Sequence, residues 1–369
     1  MFDQRVAGPA ATHEIEHIHD DSTPAGLKHH FAETMKTTFI VTVDVETRTH
    51  GDSSQDISGV IPGYPGNFGI EKIMDVLEEH RTCGTFFLNV YEIAKRGEDV
   101  VRSAARLIHE RGHDLELHTH PRPMFRFYGM SQASFDEQKA ILEKGIALLE
   151  GWTGKKVVAH RAGAFSANAD TLRAIEVVGL QADCSLSAGS RVSVPLITEL
   201  DASNMVQRVN GVWEIPVTCF DQVRFGSWHS RRILDIEGCS LPEIKRVARW
   251  AVRHRLPTVC ILMHSFSLSR HGKPNHRVVR RLSALLAWLH EQGDIEIGTI
   301  EEASRDLGAG VLQDPTNSIP ATGFWLTWRR AVVSWNDGWK NLLVAVFGAG
   351  VLAALALALF LLGYLATRS

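Results

Sequence analysis

Gly112-His113-Asp114-Leu115-Glu116-Leu117-His118-Thr119-His120-Pro121 is the stretch from which the fold can be read outward. Leu115 and Leu117 alternate with polar residues, the period-2 pattern of a short strand with one buried face. If the strand runs to its end, His118 and His120 lie two apart and project to the same side. Two imidazoles side by side at the mouth of a sheet can chelate one divalent metal. Pro121 has no N–H and ends the ladder just beyond the pair. A lone His-x-His is a short motif, and two surface histidines on a loop is the competing reading. The rest of the chain must therefore supply a third ligand, a base and an acid.

The composition allows this. The chain has 369 residues, 44% hydrophobic and 22% charged, which suits one large globular domain or two small ones. The formal net charge is -3, without the basic excess that marks a nucleic-acid binder. The cysteines, Cys83, Cys184, Cys219, Cys239 and Cys260, are scattered and odd in number, and none forms a Cys-x-x-Cys. A disulfide framework or a zinc ribbon is disfavoured, and a reducing compartment fits.

Upstream, residues 1–36 read as a solvated tail crowded with His13, Glu14, Glu16, His17, His19, Asp20 and Asp21. They lack the basic and apolar regions of a secretory signal. Thr38 to Glu46 is rich in β-branched residues and ends in Asp44 and Glu46, again two apart and on one side. Helical spacing follows at Ile70, Ile73, Met74 and Leu77, then a strand over Gly84 to Val90 and a helix through Val100 to Ile108. Downstream the alternation continues. Helices are expected over Phe135 to Glu150, Thr171 to Val178, Leu241 to His254 and Asn275 to His290. Strands are expected over Lys156 to Ala159, Ala182 to Ser185, Gly211 to Thr218, Pro257 to His264 and Ile295 to Ile300. About seven strand–helix units in sequence argue for a parallel α/β sheet, most naturally closed into a barrel.

The end of the chain departs from this pattern. Residues 341–366 form an uncharged apolar run longer than the ~20 residues needed to cross a bilayer, and a transmembrane helix is expected there. Trp325, Trp328, Trp335 and Trp339 suit an interfacial belt in the 311–340 linker. Arg329, Arg330 and Lys340 before the run, against Arg368 beyond it, would place the large N-terminal part in the cytoplasm, with the membrane as a partner.

Functional groups in parallel α/β barrels cluster at the C-terminal ends of strands. The expected strands bring Asp44 with Glu46, His118 with His120, Arg161, the Asp221 region and His264 to those ends. Each has an ordinary alternative, such as a helix cap, a surface ion pair or a buried imidazole on a carbonyl. Together they suit hydrolysis of an amide or ester. One carboxylate and two imidazoles can hold a divalent ion, a second carboxylate can take a proton, an opposed imidazolium can protonate a leaving amine, and an arginine can orient the base.

Four segments carry a resemblance: Phe39 to Glu46, Gly112 to Pro121, His160-Arg161-Ala162-Gly163-Ala164-Phe165, and Ile261-Leu262-Met263-His264-Ser265, with Trp213 to Val217 between the last two. In this order they resemble the motifs of the polysaccharide deacetylases, the NodB-homology carbohydrate esterases of family 4, over about Thr37 to Ser304. The resemblance implies a distorted (β/α)7 barrel over residues 37–310, a divalent metal such as zinc, and removal of acetyl groups from sugars. It implies Asp44 as base, Glu46, His118 and His120 as metal ligands, Arg161 as the tether of the base, and His264 as general acid. Two departures stand out. Val45 occupies the place of a second aspartate, and the histidines are two apart where the family usually has four. This resembles an Asp-x-Glu, His-x-His-Pro branch, with His113 and Asp114 as fallback ligands. Asp221, Trp228, His229 and Phe165 are candidates for the sugar pocket. The substrate implied is an acylated amino sugar of a polysaccharide or a lipid-linked glycan. The rival readings are an amidohydrolase-type enzyme, which would need its His-x-His on the first strand, and a non-catalytic glycan- or partner-binding barrel.

Overall fold

A computed structural model of the chain describes residues 36–48, 55–122, 124–193, 200–225, 228–307, 319–333 and 339–366. Its central strand is β1, Thr37–Val45, whose sequence TTFIVTVDV is buried almost throughout. Covered on both faces, such a strand reads as a continuous apolar run and not as a strict alternation. Parallel strands flank it on both sides. β2 (Thr85–Asn89), β3 (Asp114–Thr119), β4 (Ala159–Ala162) and β5 (Ala182–Asp183) follow in order on one side. β5 pairs with β7 (Val212–Glu214), which forms an antiparallel ribbon with β6 (Gln207–Val209). On the other side β1 pairs with β10 (Thr258–His264) and, at its start, with β13 (Ile295–Gly298). β8 (Cys219–Phe225) and β9 (Trp228–Ile233) form a separate hairpin, as do β11 (Ser269–Arg270) and β12 (Lys273–Pro274).

Helices cover the outer face: α1 (Ile70–Glu79), α2 (Glu98–Glu110), α3 (Phe135–Thr153), α4 (Ala169–Val177), α5 (Leu241–Arg253), α6 (His276–His290) and α7 (Ile300–Asp306). The larger apolar cluster, including Phe39, Val41, Leu115, Leu117, Ile141 and Leu285, lies between sheet and helices. A smaller one, with Ile40, Phe87, Ala159, Ala182 and Cys260, fills the inner face. Thus one strand face packs against helices and the other against the concave interior.

The expected parallel α/β sheet is present, but it curls into a half-barrel. β10 and β7 do not pair as strands, and the gap between them is spanned by isolated bridges, Val217 to Cys260 and Asp235 to Leu262. Pro216, which lacks an N–H, stands two residues after β7 and just before the first of these bridges, where a ladder could not continue through it. The fourth strand also starts later than its apolar pattern indicates, at Ala159, so Arg161 lies within the strand and not beyond it.

The expectation of a C-terminal membrane span is corrected. Phe324–Val333 (α8) and Trp339–Ala366 (α9) are helical, but among the described residues no helix is long and apolar enough to cross a membrane. The tryptophan segment is itself a helix packed on α9. The Phe324 and Phe347 rings meet edge to face at 6.2 Å, and Trp328 lies 2.0 Å from where a Cβ on Gly348 would fall. The placement in the cytoplasm that rested on this span lapses with it. Trp335 and residues 1–35 lie outside the described residues.

Candidate functional site

The site forms where β1, β3, β4 and β10 end together. In parallel register Asp44 lies opposite His264 on β10 and opposite Phe87 on β2, while His118 lies opposite Arg161 on β4. Glu46 follows the last residue of β1. Its backbone is held by Ser265, whose hydroxyl donates to the Glu46 carbonyl at 2.8 Å, while the Ser265 N–H donates to the Asp44 carbonyl at 2.9 Å. The end of β10 thus fixes the direction in which Glu46 leaves the sheet.

Glu46, His118 and His120 converge, with their ligand atoms all within 4.8 Å of one another. Glu46 Oε2 is 2.7 Å from His120 Nε2 and 3.3 Å from His118 Nε2. His118 is 1% exposed. Its Nδ1 donates to the Arg161 carbonyl at 2.9 Å, which leaves Nε2 as the unprotonated nitrogen. That buried Nε2 has no hydrogen-bond partner and faces a carboxylate oxygen. Two acceptors face to face require a proton or a cation between them. One carboxylate and two imidazoles, one already fixed in tautomer by a backbone carbonyl, fit a divalent cation such as zinc. His120 is held from two further sides. Its N–H donates to Asn89 Oδ1 at 3.3 Å, and its ring lies over the backbone of Gly163.

Electrostatics follow this geometry. Burial raises the Glu46 carboxyl, but the adjoining His118 and His120 imidazoles outweigh it and hold the group well below its usual range. Burial lowers His120, yet Glu46, Asp44 and Glu92 leave it raised overall.

Asp44 and Arg161 are the second part of the site. Arg161, fully buried, donates from Nη1 to Asp44 Oδ1 at 2.7 Å and to Thr42 Oγ1 at 3.0 Å, and from Nε to the Cys184 carbonyl at 3.2 Å. Its guanidinium carbon lies 4.2 Å from the Phe87 ring centroid. This fixes one oxygen of Asp44 and keeps a cation beside it.

His264 is the third part. Its Nε2 is 3.7 Å from Glu46 Oε1, and its Nδ1 is 3.8 Å from Glu237 Oε1. Glu237 also accepts from the Ser267 hydroxyl at 2.6 Å, and Ser267 Oγ accepts the His264 N–H at 2.8 Å. The imidazole stacks on Phe266 with centroids 4.9 Å apart. Burial pulls the His264 pKa down, but Glu237, Asp44 and Glu46 more than offset it and set the value at about 9. The sequence reading missed Glu237. It lies in the turn after β9, carries no strand or helix periodicity, and reaches His264 only because Asp235 bridges to Leu262 on β10.

The other candidates lie at the start of β3, on β8 and β9, and in the turn after β4. His113 and Asp114 open β3, at the end opposite His118, so the fallback ligand reading does not hold. His113 Nδ1 accepts from the Gly84 N–H at 3.2 Å, and Asp114 pairs with Lys155 at 2.7 Å. Asp114, Glu116 and Glu301 form a second acidic cluster there, and Lys155 already supplies its cation. The carboxylate of Asp221 is engaged by Arg231 at 3.0 Å and by Arg224. Burial opposes ionisation of Asp221, but the two guanidinium groups lower its pKa overall. Trp228 opens β9, and its side chain lies outside the described residues; His229 follows it on the same strand. Phe165 is half-buried in the turn after Arg161, where it and Ala164 have φ of 56° and 53°. Consecutive non-glycine residues in the left-handed region mark a strained turn.

Residues 62–182, about a third of the chain, match the family model described as polysaccharide deacetylase. The matched segment holds His118, His120 and Arg161, whereas Asp44, Glu46 and His264 lie outside it. The match supports a hydrolase of deacetylase type. No curated protein matches the chain. Among solved structures, a polysaccharide deacetylase-type protein from Mycobacterium smegmatis is 16% identical, with 77% of this chain and 94% of that one covered and a TM-score of 0.48. A family 4 acetyl xylan esterase from Clostridium thermocellum, in complex with a cobalt ion, is 14% identical over 78% and 98% of the two chains, with a TM-score of 0.42. A family 4 pseudoenzyme from Bacillus anthracis is 16% identical over 73% and 66%, with a TM-score of 0.41.

Proposed function

We propose that the chain is a metal-dependent hydrolase that removes an acetyl group from an amino sugar of a polysaccharide, with its catalytic unit over residues 37–310. The lipid-linked alternative rested on the membrane span and lapses with it. The observation that supports this reading is the convergence of Glu46, His118 and His120 at the strand ends that also carry the neighbouring Asp44 and His264.

In this reading Glu46, His118 and His120 hold a divalent cation, which when bound polarises the acyl carbonyl and acidifies water. Asp44 takes the proton from the attacking water as general base. Arg161 keeps one Asp44 oxygen occupied, so the other is the one turned to the water. The attack converts the acyl carbon to a tetrahedral centre. His264, protonated at neutral pH, donates its Nε2 proton to the departing nitrogen, and the C–N bond breaks to give acetate and a free amino sugar. Glu237 orients His264 and stabilises its cationic form before transfer.

The test is acetate release from N-acetylated oligosaccharides by the purified full chain, with and without a chelator, beside Asp44→Asn and His118→Ala. The expected result is loss of turnover in both variants and after chelation. Undiminished activity in both variants overturns the mechanism, and sugar binding without turnover in the metal-loaded chain favours a non-catalytic barrel.

A further inference from the structure

The outer face of β3, β4 and their neighbours β5 and β7 carries a row of polar side chains that this chemistry does not use. Thr119 on β3, His160 on β4, Asp183 on β5 and Glu214 on β7 are each at most 1% exposed. Parallel register sets Asp183 opposite both His160 and Glu214. His160 Nε2 lies 2.9 Å from the Thr119 hydroxyl, and its Nδ1 lies 2.7 Å from Asp183 Oδ1. The same carboxylate oxygen accepts the Ser185 hydroxyl at 2.8 Å, and Ser185 Oγ accepts the Ala162 N–H at 2.8 Å. An oxygen that already accepts from serine is an acceptor, so Nδ1 donates to it and Nε2 accepts from Thr119.

Asp183 Oδ1 therefore ties down both residues that flank Arg161: His160 directly, and Ala162 through Ser185. Arg161 is where the two halves of the site meet, since its carbonyl fixes the tautomer of His118 and its guanidinium holds Asp44. Burial and the adjacent Asp183 push the Glu214 carboxyl well above its usual range. Buried polar groups cost free energy that apolar residues in these positions would not. They are justified here by what they hold.

We propose that Asp183 is a positioning residue, which through His160 and Ser185 fixes Arg161 from both sides and thereby sets the tautomer of His118 and the alignment of Asp44. The metal-affinity part of this inference rests on the ligand reading above; the tautomer part does not. Asp183→Leu removes both straps. Asp183→Asn keeps an acceptor oxygen for both and serves as the conservative rescue. Thr171→Val, which removes a buried hydrogen bond between Thr171 on α4 and Gln138 on α3, serves as the stability control.

Imidazole 15N NMR of the metal-free full chain reads the His118 tautomer, and competition with a chromophoric chelator reads Zn2+ affinity. In Asp183→Leu, His118 is expected to lose its single Nδ1–H tautomer, and Zn2+ binding to weaken about 10–100-fold, the usual effect of disturbing a ligand's outer partner. Asp183→Asn and Thr171→Val are expected to keep both. A folded Asp183→Leu with the wild-type tautomer overturns the inference, and so does an equal loss in Thr171→Val. If Asp183→Leu fails to fold, His160→Phe and Ser185→Ala each cut one strap and are read in the same way. If the wild-type chain binds no Zn2+, the ligand reading fails while the tautomer still decides the role of Asp183.

Discussion

Gly163→Ala tests whether the His120 ring is held as tightly as the site requires. A Cβ at position 163 would lie 2.4 Å from His120 Cε1 and 2.5 Å from Cδ2 and Nδ1. Carbon atoms rest at about 3.5–4.0 Å, so the ring must retreat by about 1 Å. It cannot simply swing aside, because its nitrogen is 2.7 Å from Glu46, its N–H is on Asn89, and its ring meets that of His118 at 5.0 Å. Gly163 itself is not among the positive-φ residues, so alanine imposes no backbone strain there. Misplacement of a reacting or ligating group by about 1 Å costs on the order of 10²-fold in rate, about 2.7 kcal/mol of transition-state stabilisation. The assay is kcat/KM for acetate release and the Zn2+ dissociation constant, beside thermal unfolding of the metal-free chain. The expected outcome is a loss of about two orders of magnitude in kcat/KM and weaker Zn2+ binding, with the unfolding midpoint of the metal-free chain little changed. Wild-type turnover and wild-type metal affinity in Gly163→Ala would refute the packing argument and, with it, the placement of His120 in the site.

Three further outcomes follow from the same geometry. The His264 pKa is raised to about 9, so its acid form persists up to that pH and kcat/KM is expected to fall on the alkaline side near 9. The matching stability contribution is fully present below about pH 6.5, the ordinary histidine value, and is lost as pH rises through about 9. In Glu237→Gln the alkaline limb is expected to move toward neutrality, and a limb that stays in place would remove Glu237 from its role. At the other end of β3, Lys155→Met leaves Asp114 and Glu116 buried without their cation. Breaking a buried pair on one side costs about 3–5 kcal/mol, so urea unfolding should shift accordingly while kcat of the folded fraction is retained; unchanged stability would contradict the pairing. Finally, removal of metal with a chelator is expected to abolish turnover and Zn2+ to restore it, and turnover that survives exhaustive chelation would exclude a metal-dependent reaction.

The parts of this architecture that repeat along the chain are legible in the amino-acid sequence. Periodic burial gives the strands and helices, and the positions of Asp44, His118 and His264 near strand ends follow from their length. What the sequence does not reveal depends on contacts far apart along the chain. Glu237 meets His264 through a bridge between a turn and β10, and no local pattern marks that turn. Asp221 looks like a pocket residue at a strand end, but arginines only three and ten residues away take its carboxylate. His113 and Asp114 stand in the same motif as His118, yet β3 carries them to its opposite end. The apolar C-terminal run shows how composition misleads when the partner helix is not visible. The tryptophans before it, read as a membrane belt, belong to a helix that packs on it.

The departures from the motifs that the chain resembles have a common geometric sense. Asp44 and Glu46 are two apart, as are His118 and His120, and a strand turns alternate residues to opposite faces. The residues between them, Val45 and Thr119, therefore point outward. Val45 enters the layer between sheet and helices, and Thr119 meets His160. Each strand end thus presents Asp44 or His118 inward, with Glu46 or His120 just beyond it, and anchors itself outward with the residue between them. Inserting one glycine between His118 and Thr119 should turn His120 outward, since a one-residue slip exchanges the faces of every residue after it. Zn2+ affinity is then expected to fall to the level of His120→Ala, measured by the same chelator competition. Retention of wild-type affinity by the insertion variant would mean that His120 reaches the site as a loop residue, and the strand-end account of the pair would be wrong.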